Sequence, residues 1–423
     1  MSTQPIAIIG AGLQGLTTAL ALQQRGEVVR VLERAEGTAL ETSYANAGML
    51  TPSQVDPWNS PGVGRHLLQS IGRDQSAMLL RLGALPSLMG WGLSFLRHST
   101  PNRHRQATRR AFALARHSIE LTAQIREKLG IDYDASTHGT LKVFRSDRAF
   151  AASIATAEFL GREGMIFEAL DADGGIDTEP QLAEVARELV GGLRFPDDEC
   201  GDAHLFCRRI AAEVEERGGR IDCGVDVRGL ECRGGRVTGL HLEGELVDAS
   251  RIVVAAGSWS VELLRSAGLR LPVRPAKGYS LTLDAKGIPN TPRIAVVDDT
   301  LHTAIVPLGD RLRIAGTAEF AGFDKRVRAP RIRNLSDLLQ RVYPSVAARA
   351  DLGSANAWAG LRPMSSDGLP FIGPTRIGGL FVNSGHGHLG WTMAMGSADL
   401  LADLMVGKPT AIDPSPYLAQ RAL

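Results

Sequence analysis

A glycine-rich hexapeptide near the start of the chain carries the clearest chemical signal in the sequence. Gly10-Ala11-Gly12-Leu13-Gln14-Gly15 follows an apolar run at Ile6–Ile9 and precedes a predicted helix over Leu16–Gln24. A second apolar run, Val28–Leu32, ends at Glu33. A strand, GxGxxG, a helix, a strand and an acid in this order are typical of a dinucleotide-binding βαβ unit. The competing interpretation is a glycine-rich turn that binds nothing.

Each of these residue types has a physical role in holding a dinucleotide. Gly10 permits a tight turn, Gly12 lets the backbone approach a pyrophosphate, and Gly15 lets the helix pack closely on the strand. The helix N-terminus is expected to bind the phosphates, and Glu33 to accept hydrogen bonds from both ribose hydroxyls.

The segment after Glu33 distinguishes between two dinucleotides. Residues Thr42-Ser43-Tyr44-Ala45-Asn46-Ala47-Gly48-Met49 are mostly small or polar, and Pro52, Pro57 and Pro61 follow them. An NAD-binding domain normally continues into a helix here, but prolines are poor helix positions. The composition therefore favours a loop along an extended cofactor such as FAD, with an ordinary surface loop as the alternative.

The C-terminal region repeats the strand–turn–helix pattern. A strand at Leu380–Asn383 leads into the turn Gly385-His386-Gly387-His388-Leu389-Gly390, and a helix is predicted over Trp391–Met405, closed by Gly407. If the N-terminus of this helix faces the flavin edge, its dipole favours the reduced, anionic flavin. Packing of the two imidazole rings is the alternative. Two histidines without an acid or cysteine partner make a poor metal site, so no metal is predicted.

The middle of the chain supplies two further elements of the same kind. Apolar residues at every fourth position from Phe206 to Val214 predict a helix ended by Gly218-Gly219, and a strand is predicted through Ile221–Val227. A buried strand at Arg251–Gly257 ends in small residues, which let the backbone pass close beneath a cofactor.

Together these motifs resemble those of the D-amino-acid oxidase superfamily of flavoproteins. The resemblance rests on the N-terminal unit, Ala45–Met49, Ala255–Gly257, Trp358–Pro363 and Gly385–Thr392. Residues Lys277–Thr282 and Ser366–Pro370 fit the branch of bacterial D-amino-acid dehydrogenases. Relatives that oxidise glycine, sarcosine or hydroxyproline share much of the pattern.

The resemblance implies an α/β chain, α+β overall, with two interwoven domains. A Rossmann-like FAD-binding domain would comprise residues 1–55, 200–262 and 352–423, and a mixed-sheet substrate domain residues 56–199 and 263–351. Patterning of the β type predicts sheet strands in the second domain at Gly139–Phe144, Gly192–Phe195, Tyr279–Leu283, His302–Val306 and Arg311–Thr317.

The resemblance also implies a set of FAD contacts. They are Gly10, Gly12, Leu13, Gln14, Glu33, Arg34, Thr42, Ser43, Asn46, Gly48, Met49, Leu50, Val227, Ala256, Gly257, Trp259, Arg362, Gly387, His388, Leu389, Gly390, Trp391 and Thr392. Flavoproteins of the sarcosine type tether FAD through a C-terminal cysteine, whereas this chain has no cysteine after Cys232. Non-covalent FAD is therefore expected.

A D-amino acid is the substrate that the resemblance implies. Arg362 would bind its carboxylate, Tyr279 would be a second carboxylate or pocket contact, and His302 would line the pocket. A guanidinium matches a carboxylate in a bidentate manner, although Arg362 could instead form a structural salt bridge and Tyr279 could simply pack in the sheet. Hydride would pass from Cα to flavin N5 without a general base, and water would hydrolyse the resulting imine to a 2-oxo acid and ammonia. The alternatives are an oxygen-using amine oxidase, an NAD-dependent dehydrogenase and a non-catalytic flavoprotein.

Composition and charge bear on location and partners. Lys and Arg number 47 against 46 Asp and Glu, so no global charge attracts nucleic acid. Four cysteines without metal-ligand spacing indicate reduced thiols in a cytoplasmic protein. The apolar, proline-interrupted segment Met78–Leu96, which contains Trp91 and Leu93, precedes a basic cluster. It predicts peripheral contact with the inner face of the cell membrane, where a quinone or similar carrier would accept electrons. In the alternative, Leu79, Leu82, Leu85 and Leu88 pack beneath the substrate domain.

Overall fold

The computed structural model describes residues 4–69 and 78–422. Its strands are β1 (Ile6–Ile9), β2 (Val29–Glu33), β3 (Met49–Leu50), β4 (Met78–Leu80), β5 (Thr140–Phe144), β6 (Glu168–Leu170), β7 (Gly191–Phe195), β8 (Glu199–Cys200), β9 (Arg220–Cys223), β10 (Gly229–Arg233), β11 (Arg236–His241), β12 (Leu246–Asp248), β13 (Ile252–Val254), β14 (Val273–Asp284), β15 (Ala295–Asp298), β16 (Thr303–Leu308), β17 (Arg311–Phe320), β18 (Asn356–Ser365), β19 (Phe371–Pro374) and β20 (Leu380–Ser384).

The helices lie between successive strands in the chain, except the last helix, which follows β20, and they cover the sheets. They are α1 (Leu13–Gln23), α2 (Val63–Gln69), α3 (Leu85–Arg97), α4 (Pro101–Leu129), α5 (Asp147–Gly161), α6 (Ala172–Thr178), α7 (Ala203–Glu216), α8 (Ser260–Ser266), α9 (Ala329–Val342), α10 (Pro344–Arg349) and α11 (Ala394–Val406). No helix within residues 4–69 and 78–422 is long and apolar enough to cross a membrane.

A six-stranded sheet unites the three glycine-rich regions. Its order is β19-β20-β13-β1-β2-β9, and every neighbouring pair is parallel except β19 and β20. The predicted βαβ unit is therefore confirmed, with α1 starting at Leu13, inside the glycine motif. One face of the sheet packs against α1, α4, α7 and α11. The other face packs against α8 and a small sheet of β10, β11 and β12.

A nine-stranded mixed sheet forms the second layer of the fold. Its order is β18-β14-β17-β16-β15-β5-β7-β6, with β4 added beside β17. All five predicted substrate-domain strands lie in this sheet. Helices α9 and α10 pack against one of its faces.

The structure corrects three predicted boundaries. Strand β18 pairs with β14 along its whole length, so Arg362 lies in the large sheet and residue 352 is too early a start for the nucleotide-binding segment. Strand β9 ends at Cys223, before Val225 and Val227, because Gly224 turns the chain with φ +74°. Helix α11 begins at Ala394 instead of Trp391, since a 3-10 turn occupies Gly387–Leu389.

Helix α4 is placed differently from the prediction. Ala107, Ala111, Leu114 and Ala115 on this helix are buried in the same core as α1 and α11. Residues 101–129 therefore pack on the nucleotide-binding layer, although they fall within the segment 56–199 predicted for the substrate domain. Small alanine side chains allow this close helix packing.

Candidate active site

A cavity of about 1700 Å³ lies between the two large sheets. The carboxyl ends of β1, β2, β13 and β20 border one side of it, and β14, β17 and β18 border the other. Ligands of open α/β sheets bind at the carboxyl ends of the strands. Pockets for one drug-sized ligand usually measure ~300–1,000 Å³, so this volume suits a dinucleotide together with a small second molecule.

The glycine turn after β1 has no room for side chains at Gly10 or Gly15. Gly10 has φ +105°, and a Cβ on it would lie 2.8 Å from the carbonyl oxygen of Ala255. A Cβ on Gly15 would overlap the carbonyl oxygen of Gly10. The N-terminus of α1 has no acidic residue in its first turn, and although the Leu13 N–H donates to the Ser43 hydroxyl at 3.1 Å, the N–H groups of Gln14 and Gly15 have no side-chain acceptor among the described residues. It is therefore available to an anionic pyrophosphate.

Glu33 and Arg34 border the end of the cavity next to β2. The Glu33 carboxylate accepts hydrogen bonds from the backbone N–H groups of Ala11 at 2.7 Å and Ala35 at 2.9 Å. A carboxylate has about four acceptor sites, so two remain for ribose hydroxyls. The Arg34 guanidinium lies 3.9 Å from the centroid of the Trp259 ring, and Val227 lines the wall nearby.

Several buried polar atoms around the cavity have no hydrogen-bond partner among residues 4–69 and 78–422. They are Oε1 of Gln14, Nε2 of Gln54, Oγ1 of Thr317, Nδ1 of His386 and Nε1 of Trp391. Buried polar groups without partners are rare in folded proteins. A ligand with many donors and acceptors along its length would satisfy them, so these residues fit FAD.

The C-terminal glycine turn is tied directly to the N-terminal unit. The Gln14 side chain donates a hydrogen bond to the carbonyl oxygen of Gly390 at 2.6 Å. His388 stacks on Trp58 with ring centroids 5.4 Å apart, and its Nε2 donates to the carbonyl oxygen of Gln54. Burial lowers the pKa of His386 to about 3 and that of His388 to about 4. Both imidazoles are therefore neutral at physiological pH.

Arg362 is a partly buried cation without a carboxylate partner among the described residues. Its guanidinium lies over Gly278, where a Cβ would overlap it, and donates a long hydrogen bond of 3.4 Å to the carbonyl oxygen of Thr317. Among the described parts of the chain, no acidic side chain forms an ion pair with it. Burial lowers its pKa to about 10, so it stays charged at neutral pH. A buried charge is costly unless it is paired, and a ligand carboxylate would supply the missing charge.

Tyr279 lines the cavity, but its hydroxyl is already engaged. It donates a hydrogen bond of 2.6 Å to Oε2 of Glu319. Glu319 also forms ion pairs with Arg81 and Lys277. Burial and this carboxylate raise the pKa of Tyr279 well above its usual range. Of the two roles predicted for Tyr279, a carboxylate contact or a pocket contact, this geometry favours the pocket contact. His302 lines the same cavity in the turn before β16.

Most of the predicted contact residues lie together in the cavity wall. Three do not: Gly48 donates its N–H to Asn46, Leu50 is fully buried in the core, and the Thr392 hydroxyl accepts from the backbone N–H of Thr51. They support the loop that borders the cavity.

Sequence analysis missed many of the lining residues, among them Gln54, Asp56, Trp58, Lys142 and Thr317. No motif marks them, because only the tertiary fold brings them to the cavity.

The fold and this cavity define a two-domain flavoprotein oxidoreductase. Residues 5–404 match the DAO family, FAD dependent oxidoreductase, and the chain belongs to that family. It is therefore an FAD-dependent enzyme.

Relatives match over almost the whole chain. It is 41% identical to a D-amino acid dehydrogenase of Methylobacterium sp. (strain 4-46) over 98% of both chains. A D-amino acid dehydrogenase of Xanthobacter autotrophicus is also 41% identical, over 96% of both chains. Among solved structures, glycine oxidase from Geobacillus kaustophilus superposes with a TM-score of 0.76 at 25% identity, covering 99% of this chain and 98% of that one.

Replacing Glu33 by alanine is expected to weaken FAD binding at least tenfold. Each charge-assisted hydrogen bond contributes about 1.5–3 kcal/mol, and the substitution also leaves the N–H groups of Ala11 and Ala35 without an acceptor. The dissociation constant is measured by flavin fluorescence on reconstituted apoprotein. Glu27→Ala is the control, because Glu27 pairs with Arg251 away from the cavity. Equal affinity in both variants would contradict the assignment of Glu33.

Proposed function

We propose that the protein oxidises the α-carbon of a D-amino acid and yields a 2-oxo acid and ammonia. The observation that carries this proposal is the partly buried Arg362 guanidinium, which has no acidic partner among the described residues and lies in a cavity that fits FAD. A carboxylate-bearing substrate would provide the counter-charge. The choice of the D configuration rests on the names of the relatives at 41% identity, which are D-amino acid dehydrogenases.

Binding and orientation are the tasks of the protein's own side chains. Arg362 would hold the substrate carboxylate, and Trp58, Tyr279 and His302 would form walls around the substrate. FAD, when bound, supplies the acceptor for the hydride that leaves Cα. The Cα hydrogen leaves as a hydride, with its electron pair, so no side chain needs to remove it as a proton. The neutral state of His386 and His388 also means that neither ring competes with Arg362 for the carboxylate. FAD would be held without a covalent bond to cysteine.

Product analysis tests this reaction. Incubation of the holoenzyme with D-alanine and an artificial electron acceptor should yield one pyruvate and one ammonia for each acceptor molecule that takes two electrons. Formation of ammonia without the oxo acid, or turnover of N-methylglycine with none of D-alanine, would refute the proposal.

We further propose that electrons pass to a membrane quinone or a similar carrier, with α3 as the contact to the lipid surface. Five exposed apolar side chains, Leu82, Leu85, Met89, Leu93 and Leu96, recur every three or four residues. This spacing puts those on α3 on one face of the helix. Met89 is 74% exposed and Leu93 is 55% exposed. Such an apolar face at the surface of a globular protein marks an interaction site.

Basic residues continue this surface. Arg97 ends α3, and the exposed Arg103 of α4 donates a hydrogen bond to its carbonyl oxygen. Arg105, two residues further along α4, is also exposed. An apolar face beside exposed arginines is typical of helices that lie in an anionic lipid interface.

Both sequence-based expectations about this segment need correction. Trp91 is only 7% exposed, stacks on Phe95 and donates a hydrogen bond to the carbonyl oxygen of Met364, so it belongs to the core and not to the lipid contact. Leu79 and Leu88 are buried as the alternative predicts. The two other leucines in that alternative, at positions 82 and 85, belong to the exposed face.

Vesicle sedimentation tests the lipid contact. The double variant Met89→Ser/Leu93→Ser should bind anionic vesicles at least tenfold more weakly than the wild type, because each buried apolar side chain contributes about 1.5–3 kcal/mol. The variant Phe323→Ser/Val327→Ser removes two exposed apolar side chains elsewhere and should bind normally. Wild-type protein that does not bind anionic vesicles at low salt, or equal loss in both variants, would disprove this contact.

For the acceptor, the substrate-reduced enzyme should be reoxidised faster by a soluble quinone analogue than by air-saturated buffer.

A further inference from the structure

Asp56 is an acidic residue in the cavity wall that lacks a direct charged partner among the described residues. Its side chain is open to the cavity. Its only hydrogen bond within the described part of the chain is a long one, 3.4 Å from the Thr108 hydroxyl. No Lys, Arg or His in those residues forms an ion pair with its carboxylate.

The nearest charged groups already have partners. Lys142 on β5 forms an ion pair of 2.7 Å with Asp299, and both residues line the cavity. Nε2 of His104 donates to the carbonyl oxygen of Pro57. Burial raises the pKa of Asp56, against the influence of His104 and Lys142, which favour the ionised form. The Lys142–Asp299 pair is neutral as a whole, so Asp56 gives this end of the cavity an excess of negative charge.

This acidic end is remote from Arg362. The Arg362 guanidinium contacts β17, and Lys142 projects from β5, three strands further across the sheet. At ~4.8 Å per strand, the backbones of β17 and β5 are roughly 14 Å apart, and Trp58, two residues after Asp56 in the chain, has its ring centroid 5.7 Å from the Arg362 guanidinium. A substrate held by its carboxylate at Arg362 would therefore need a long side chain to approach Asp56.

We infer that Asp56 binds the positively charged end of a long substrate side chain, which makes basic D-amino acids such as D-lysine preferred substrates. This inference rests on the proposed function. An ammonium or guanidinium group donates charge-assisted hydrogen bonds to the free carboxylate and balances its charge. An acidic side chain would meet like charge there, and a short one would leave Asp56 unpaired.

A comparison of D-lysine with D-norleucine isolates this contact. The two substrates share the same carbon chain, and only D-lysine carries the terminal ammonium. Wild-type holoenzyme should show a kcat/KM for D-lysine at least tenfold above that for D-norleucine. In Asp56→Asn, this ratio should fall roughly ten- to a hundredfold, mainly through KM, because the contact exists before and during the reaction. Because the ratio compares kcat/KM for two substrates of the same protein, it does not depend on the yield of the protein or on its FAD content.

A second variant tests the charge argument from the other side. Lys142→Met removes the ammonium that pairs with Asp299 and lies 5.4 Å from the centroid of the Phe144 ring, and it keeps an unbranched side chain of similar length. It frees a second carboxylate, so the D-lysine to D-norleucine ratio should rise. A wild-type preference for D-norleucine, or an unchanged ratio in Asp56→Asn, would overturn the inference and leave the proposed function standing. Failure of every D-amino acid, D-alanine included, to reduce the flavin would overturn both.

Discussion

Replacement of Arg362 by alanine should lower kcat/KM for the amino acid by roughly 30- to 4,000-fold. The loss of one partner of a buried, hydrogen-bonded charge pair costs about 2–5 kcal/mol, and a misplaced substrate also loses its orientation toward the flavin. The guanidinium has no acidic partner among the described residues, so the protein itself does not depend on it for a salt bridge. Steady-state kinetics with D-alanine measure the effect, and the visible flavin spectrum shows that the FAD content is normal.

Arg362→Lys is the matched control for charge. Lysine keeps the positive charge but loses the planar fork that binds a carboxylate with two hydrogen bonds. We expect an intermediate kcat/KM, with more of the loss in KM than in the alanine variant. Near-native turnover of Arg362→Ala with every substrate tested would show that another residue binds the carboxylate.

Replacement of Gly15 by alanine should prevent the assembly of the FAD site. The added methyl group would overlap the carbonyl oxygen of Gly10, which is backbone and cannot rotate away. Overpacking of this kind costs about 3 kcal/mol or more, and relief would require α1 to move away from β1. Thermal unfolding and the ratio of flavin to protein absorbance should both decrease strongly.

Gly83→Ala is the corresponding control. Gly83 lies in the 3-10 turn Leu82–Ala84, where an added methyl group would meet only open space and the backbone has no positive φ. The stability of this variant should stay within about 0.5 kcal/mol of the wild type. If Gly15→Ala binds FAD as tightly as Gly83→Ala does, close packing at Gly15 is not required.

Local patterns in the sequence were sufficient for the nucleotide-binding half of the fold. Short apolar runs before Gly10 and after Gly26 predict buried parallel strands, and the backbone geometry at Gly10 and Gly15 explains why glycine is needed there. The alternation of apolar residues also placed the five strands of the large sheet. These features depend on neighbours within a few residues, so the sequence displays them directly.

Contacts between residues that are distant in sequence could not be predicted in the same way. The sequence predicted Arg362 as the carboxylate ligand. It did not predict that the strand of Arg362 pairs with β14 in the large sheet. The engagement of Tyr279 by Glu319 joins two strands 40 residues apart in sequence. Asp56 and Lys142 carry no motif, and only the tertiary fold brings a loop residue and a residue of β5 to one end of the cavity. Hydrophobic periodicity does not report which side chains meet across a cavity.

Anaerobic mixing of the purified holoenzyme with a single amino acid enantiomer tests the central claim most directly. The protein should be yellow, and the visible absorbance of its oxidised flavin should bleach with D-alanine or D-lysine as the cofactor takes up the hydride. L-Alanine should leave the spectrum unchanged, and Arg362→Ala should bleach far more slowly than the wild type. A flavin that stays oxidised with every D-amino acid, or one that L-alanine reduces in preference to D-alanine, would contradict the account.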